Sequence, residues 1–337
     1  MSSSNNVILV CRFSALGDVA MTVPVLQQVV ALNPDHHVVM ISDQKFEGLF
    51  SGINNLTFEG FDIKLRYRGV NGIFKIWWKL YIKYKIVAFI DLHGVLRTHL
   101  LRSLFFLSGK KVSVIRKGRK LKAALTRKRE KKMYALPHTT QRYLGCFTSL
   151  GICTDQALLN QTFIQPKPPQ SKVRKIGFAP FAKHILKMYP LEKMYEVVAH
   201  FDKKGYEIYF FGNGEYEHQL LGAWEIKTKH VVSAQKSVSL LDDMQLIATL
   251  DLMVTMDSAN MHLASNANIP VISIWGPTHP FIGFYGFNQD PDRIIQSNLT
   301  CRPCSVYGNK PCWRKDHACM MVIQPQDIIN KIEAVLN

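Results

Sequence analysis

Three segments of this 337-residue chain bring acids, cations and small-residue turns to places where an apolar strand ends. That combination suits phosphate and sugar chemistry. The first is Arg12-Phe-Ser-Ala-Leu-Gly-Asp18, in which a strand runs into a turn and a helix opens. Ser14 and Gly17 permit close backbone approach, so the free amides of the helix start can face a phosphate or sugar. Asp18 then has two readings: an N-cap or first-turn acid stabilised by the helix dipole, or a general base within reach of a hydroxyl proton. The second segment is Met253-Val-Thr-Met-Asp-Ser-Ala-Asn-Met-His262, again strand, turn and helix. Amides of Asp257, Ser258 and Ala259 at that helix start suit a diphosphate or sugar hydroxyls, with His262 one turn on, over Ser258. An ordinary capped helix with a satisfied histidine explains the same residues. The third is Phe181-Ala-Lys-His-Ile-Leu-Lys-Met-Tyr-Pro190. Pro190 is expected at the first helical position, and Lys183 and Lys187 either neutralise a diphosphate or decorate a surface loop. Phe211-Gly-Asn-Gly-Glu215 follows a further strand but lacks the full G-x-G-x-x-G spacing and falls in the wrong half for a dinucleotide fingerprint. Glu215 is instead placed to accept hydrogen bonds from ribose hydroxyls.

The elements that must position these groups alternate. Val7–Phe13, His37–Ser42 and Ile86–Asp91 read as strands, Val19–Leu32 and Gly94–Leu107 as helices, which predicts βαβ units and a mostly parallel sheet. The polar, proline-bearing stretch 161–174 has the composition of an interdomain linker. Beyond it the rhythm restarts, with strands at Lys175–Pro180, Tyr206–Phe211, Leu252–Met256 and Val271–Trp275 and helices at Leu191–Lys203 and Leu240–Thr249. We therefore expect two doubly wound α/β domains, residues 1–165 and 166–337, with the last helix a candidate to pack back on the first. The site is expected in a cleft between the carboxyl ends of their strands.

Lys plus Arg outnumber Asp plus Glu by 42 to 25, which favours anionic partners such as nucleic acid, anionic lipid or phosphorylated sugars. No basic leader with a long apolar stretch opens the chain, and the apolar segments near 73–90 and 100–107 are short or interrupted by lysine, so a cytoplasmic protein without a membrane span is expected. Lys75, Lys79 and Lys83 stripe an otherwise aromatic helix. It either covers the sheet with its lysines in water or docks on a membrane surface. The basic run 110–132 is expected to lie in the first domain. Cys301, Cys304, Cys312 and Cys319 form either a structural four-thiolate zinc site or a set of unliganded thiols, since the first pair has ligand spacing and the longer gaps do not. No catalytic metal is expected.

In the same order, the Arg12–Asp18 motif, Asp91-Leu-His-Gly-Val-Leu-Arg-Thr, Lys187-Met-Tyr-Pro, Phe211-Gly-Asn-Gly-Glu, Asp257-Ser-Ala-Asn-Met-His-Leu-Ala and Ile274-Trp-Gly-Pro-Thr resemble glycosyltransferase family nine, the ADP-heptose:lipopolysaccharide heptosyltransferases. The resemblance runs over nearly the whole chain. It implies a GT-B architecture of two Rossmann-like domains, the acceptor held mostly by the first and the nucleotide by the second. By the same resemblance Asp18 matches the catalytic base and Lys187 the lysine that meets the donor phosphates, with Lys183 beside it. Glu215 matches the ribose contact, and Asp257, Ser258, Ala259 and His262 the donor-sugar and diphosphate loop. Ser14, Gly17, His93 and Arg97 fall to the acceptor or phosphate loop. The family usually has Asp-Thr-Gly where this chain has Asp257-Ser-Ala, so the backbone there lacks a glycine's freedom. The implied reaction is transfer of heptose from ADP-heptose, with inversion and without a cofactor, to an anionic Kdo–lipid A type acceptor at the inner face of a bacterial inner membrane. The basic run would meet that acceptor and anionic lipids. Rival readings are a GT-B transferase or epimerase acting on another nucleotide sugar and, suggested only by charge, a nucleic-acid-binding protein. No recognised nucleic-acid module is present, so no nucleic-acid partner is expected.

Overall fold

A computed structural model of the chain describes residues 6–157, 163–166, 173–233 and 239–336. Most of the expected linker, 161–162 and 167–172, lies outside the described residues. In chain order the elements are β1 (Asn6–Cys11), α1 (Leu16–Ala20), α2 (Val23–Leu32), β2 (His36–Ser42), β3 (Leu56–Gly60), α3 (Gly69–Lys83), β4 (Ile86–Asp91), α4 (Leu96–Leu107), β5 (Lys111–Val114), α5 (Arg119–Leu125) and α6 (Thr139–Thr148). There follow β6 (Lys175–Ala179), α7 (Leu191–Lys203), β7 (Glu207–Phe210), α8 (Glu215–Glu225), β8 (Val231–Ser233), α9 (Leu240–Ala248), β9 (Leu252–Met256), α10 (Ala259–Asn266), β10 (Val271–Trp275), β11 (Ile294–Gln296), α11 (Ala318–Met321) and α12 (Pro325–Leu336). The chain divides into two compact units. One comprises residues 1–117, 139–161 and 239–241; the other comprises 118–138, 162–238 and 242–337.

The first unit carries a five-stranded parallel sheet in the order β3-β2-β1-β4-β5. Val7 to Cys11 is an unbroken buried apolar run, as a central parallel strand covered by helices on both faces requires. The expected single helix over 19–32 is two helices. Thr22 bonds back to the Val19 carbonyl at 2.7 Å, and Pro24 in the first turn of α2 starts a new helix. Helix α3 buries Ile73, Ile76 and Leu80 against the sheet. Its lysines do not simply project into water: Lys79 and Lys83 both pair with the buried carboxylate of Glu59.

In the second unit the parallel sheet has six strands, ordered β11-β10-β9-β6-β7-β8. Helix α12 packs on α7 and places Ile328, Ile329, Ile332 and Leu336 in the second unit's core. The greater part of the basic run, from Gly118 onward, also groups with the second unit and is partly structural. Lys122 is buried with its ammonium 4.0 Å over the Phe284 ring, Lys128 lies over Trp313, and Lys131 donates to the carbonyls of Thr300 and Cys301.

Candidate active site

In each unit the candidate groups collect where the strand order reverses. In the first sheet this point lies between β1 and β4, whose following loops diverge and leave a crevice at their carboxyl ends. The loop after β1 presents Ser14 and Asp18, and the loop after β4 presents His93. The two loops meet where Ser14 Oγ lies 3.4 Å from His93 Nε2.

Asp18 sits in the short helix α1 with about a third of its side chain exposed, at 32%. As a first-turn cap it is weak, because its contact with the Ala15 amide is long, 3.5 Å. Its strong partner is Arg12, a nearly buried guanidinium at the end of β1 that forms an ion pair with Asp18 Oδ2 and donates to the Leu92 carbonyl. The Tyr143 hydroxyl holds the Asp18 carbonyl at 3.1 Å, and burial pushes that phenol far above its ordinary range. Asp18 is thus an acid aimed by a fixed cation, with part of its surface left open to a hydroxyl. Gly17 takes a helical conformation inside α1.

The loop after β4 is organised by Asp91, which is fully buried. Its Oδ1 accepts the amides of His93 and Gly94 at 2.9 and 2.8 Å, and its Oδ2 pairs with Arg102 at 3.1 Å. Gly94 has φ of 57°, a left-handed turn that lets the loop fold over this carboxylate. Burial, together with the positive charges of Arg12, Lys117 and Arg97, holds His93 neutral, with its pKa lowered to about 3. His93 is therefore a neutral hydrogen-bonding group beside Asp18, and Arg97 lies near enough to contribute to its field.

In the second sheet the order reverses between β6 and β9. Lys187 follows β6 and Asp257 follows β9, and the two form an ion pair at 2.9 Å with side chains 15% and 9% exposed. Thr278, after β10, donates to the same Asp257 oxygen at 2.8 Å. An ammonium has three donors, so Lys187 keeps hydrogens for a ligand while Asp257 fixes its position. Ser258 is the N-cap residue of α10 in an extended conformation, φ −142°, and its hydroxyl bonds to Thr255 at 3.0 Å rather than to the helix amides. Ser258 and Ala259 thus take conformations open to any residue. His262 is buried on α10.

Lys183 is exposed on the loop before α7, and Pro190 stands at the N-cap of α7 rather than at its first helical position. Gly214 precedes α8 with φ of 122°, a conformation reserved for glycine. This turns the chain so that Glu215 opens the helix, exposed, while Glu217 folds back onto the Asn213 amide at 2.6 Å.

Sequence reasoning missed Arg12, Tyr143, Thr278 and Arg302 as site-building residues. Arg302 is buried. Its guanidinium donates to the carbonyls of Gly276, Thr278 and Ser297 and to Gln296 Oε1, holding the loop that carries Thr278. His184 also belongs here: burial and the charges of Lys183 and Lys187 lower its pKa. Among the described residues no group of three or more His, Cys, Asp or Glu side chains is arranged to hold a metal ion, so the zinc reading of Cys301, Cys304, Cys312 and Cys319 finds no support. None of the four is in a disulfide, and burial pushes the Cys304 thiol up and Cys319 up to about 11.

The sequence model of glycosyltransferase family 9 (heptosyltransferase) matches residues 82–312. Lipooligosaccharide heptosyltransferase 2 of Campylobacter jejuni is 30% identical over 137 residues, which is 39% of this chain and 41% of that protein, so the match spans less than half of the relative. Among solved structures, a glycosyl transferase family 9 protein from Veillonella parvula superposes with a TM-score of 0.74 at 18% identity, covering 100% of this chain and 98% of that one. The E. coli heptosyltransferase WaaC with ADP gives a TM-score of 0.69 at 20% identity, covering 97% and 99%. At these identities the likeness establishes the fold: two Rossmann-like units of the GT-B class.

Proposed function

The chain belongs to glycosyltransferase family 9, and from that membership we propose that it transfers a heptose from ADP-heptose to the inner core of a lipopolysaccharide, a Kdo–lipid A type acceptor, with inversion at the anomeric carbon. The observation that carries the reading is the pairing of function with position: Asp18, an acid held by Arg12, at the reversal point of one sheet and a held cation, Lys187, at that of the other. The acceptor hydroxyl attacks the anomeric carbon from the side opposite the diphosphate. A carbon–oxygen bond forms, the bond from that carbon to the phosphate oxygen breaks, and Asp18 takes the hydroxyl proton. Arg12 keeps the Asp18 carboxylate oriented throughout. Lys187, with Lys183 and the amides at Ser258 and Ala259, meets the charge that grows on the departing ADP, so no metal is needed for that role. Pre-set donors of this kind contribute about 3–4 kcal/mol each. Glu215 accepts from the ribose hydroxyls, while Asp257 and His262 line the donor-sugar side. Ser14, Gly17, neutral His93 and Arg97 serve the acceptor.

We place the reaction at the cytoplasmic face of the inner membrane, where such an acceptor is anchored. Among the described residues no helix is long and apolar enough to cross a membrane. The test is transfer from ADP-heptose to deacylated Kdo–lipid A by the intact chain and by Asp18→Asn, with ADP binding followed by calorimetry. Loss of transfer with ADP binding kept is the expected result. An intact chain that binds ADP and transfers nothing would overturn the heptose assignment and direct the screen to other nucleotide sugars. An Asp18→Asn variant with undiminished transfer would remove Asp18 from the base role.

A further inference from the structure

Helix α3 is apolar over a wider arc than the sheet covers. Successive side chains are about 100° apart, so Ile73, Ile76 and Leu80 share the face turned to the core, and Phe74, Trp78, Tyr81 and Ile82 fall on the adjoining flank. These four are between 39% (Tyr81) and 65% (Ile82) exposed. The flank is held rigid by its own rings, with Trp77, Trp78 and Tyr81 in mutual contact. Lys110 lies 5.6 Å over the Tyr81 ring, which brings the end of α4 to the last turn of α3. There Phe106 and Leu107 are 63% and 80% exposed. Contiguous apolar surface of this kind on a chain that is otherwise highly charged marks an interaction site.

The charge around the patch selects what covers it. Between residues 63 and 129 the chain has one carboxylate, Asp91, and that one is buried in its own loop. Glu59, beneath α3, is neutralised by Lys79 and Lys83, and Asp62 accepts the amides of Lys64 and Leu65. Over the same span Lys64, Arg66, Arg68, Lys75, Lys85 and Lys110 supply only positive charge. A second copy of this chain would set lysines against lysines. A nucleic acid would leave Ile82, Phe106 and Leu107 facing phosphate. Apolar side chains flanked by lysines with long apolar stems match one partner, the boundary between headgroups and acyl chains of an anionic bilayer.

We propose that the exposed flank of α3, continued by Phe106 and Leu107, is the surface on which this chain docks on an anionic lipid bilayer. The inference rests on this surface alone and stands whether or not the donor is ADP-heptose. The test is co-sedimentation of the full chain with phosphatidylcholine vesicles, with and without phosphatidylglycerol. Binding is expected to the anionic vesicles, to weaken with salt, and to be poor on phosphatidylcholine alone. The double variant Trp78→Ser, Ile82→Ser removes two side chains from the interface without touching the core. It should lower partitioning by at least tenfold, since each buried large apolar side chain contributes about one decade or more. Circular dichroism checks that the variant folds. Independently, the lipid-induced blue shift of tryptophan emission should shrink in Trp78→Phe, which keeps most of the binding. Equal partitioning of wild type and double variant, no preference for anionic vesicles, or a blue shift undiminished in Trp78→Phe would each overturn the proposal. So would a wild-type dimer that the double variant abolishes while vesicle binding is unchanged, or duplex DNA binding that depends on these residues when vesicle binding does not.

Discussion

Replacing Lys187 by methionine should have two effects that a second substitution pulls apart. The Lys187 ammonium is 2.9 Å from Asp257 Oδ2, and the carboxylate is 9% exposed with Thr278 as its other partner at 2.8 Å. Removing the cation leaves a largely buried charge with one neutral donor. Broken buried pairs cost about 3–5 kcal/mol, and the surviving Thr278 bond puts this case near about 3 kcal/mol. If Lys187 also meets the leaving diphosphate, kcat falls by a further, separate factor of about 10²–10³. Adding Asp257→Asn removes the orphaned charge, so the double variant should recover most of the lost stability while its kcat stays low. Urea unfolding midpoints and steady-state transfer from ADP-heptose read the two effects. A double variant that regains transfer along with stability would refute the reasoning, because Lys187 would then act only as a counter-ion. A single variant as stable as wild type would refute the structural half.

Three further outcomes follow from the same geometry. Arg302→Met leaves the oxygens of Gly276, Ser297, Thr278 and Gln296 without their donor and should cost about 3 kcal/mol or more in thermal unfolding, and Arg302→Lys should restore little because an ammonium cannot match the planar fork. His93, with a folded pKa of about 3, stays neutral while an unfolded histidine protonates near pH 6.5. The unfolded chain therefore binds the extra proton between those values, and stability falls as pH drops through that window by up to about 1.4 kcal/mol per pH unit. His279, lowered to about 4, adds the same sign, and urea midpoints from pH 7.5 to 5 should show a slope that His93→Gln reduces. Gly214→Ala forces a φ of 122° on a residue with a Cβ, costs about 1–3 kcal/mol locally, and should raise the donor KM with less effect on kcat in steady-state kinetics.

Much of the frame was legible from the chain. The bounds expected for β4, α7, β9 and β10 coincide with those observed, because each is a continuous apolar or clearly periodic run bounded by turns. Strands β3, β5, β8 and β11 escaped notice. They are three to five residues long and lie at or near sheet edges, where part of the strand faces water and the apolar signal thins. The positions of Asp18, Lys187 and Asp257 were legible because each follows a readable strand. What holds them was not. Lys187 and Asp257 are 70 residues apart, and the buried guanidinium of Arg302 looks in sequence like any surface arginine beside a cysteine.

Strand order is the missing step between motif and site. In a parallel sheet, strands that follow each other in the chain usually lie side by side and their connecting helices cover the same region, leaving no crevice. A crevice opens only where the order reverses. In this protein β1 neighbours β4 and β6 neighbours β9, although two strands intervene in the chain in each case. The loop bearing Asp18 is therefore brought to His93, and the loop bearing Lys187 to Asp257. Periodicity could give the strands but not their neighbours, so the motifs could be read singly and not as pairs. The two units share no readable sequence repeat, yet the reversal point brings the Asp18 loop to His93 in one and Lys187 to Asp257 in the other. Shifting either reversal by one strand would bury or disperse the pair without altering a single motif.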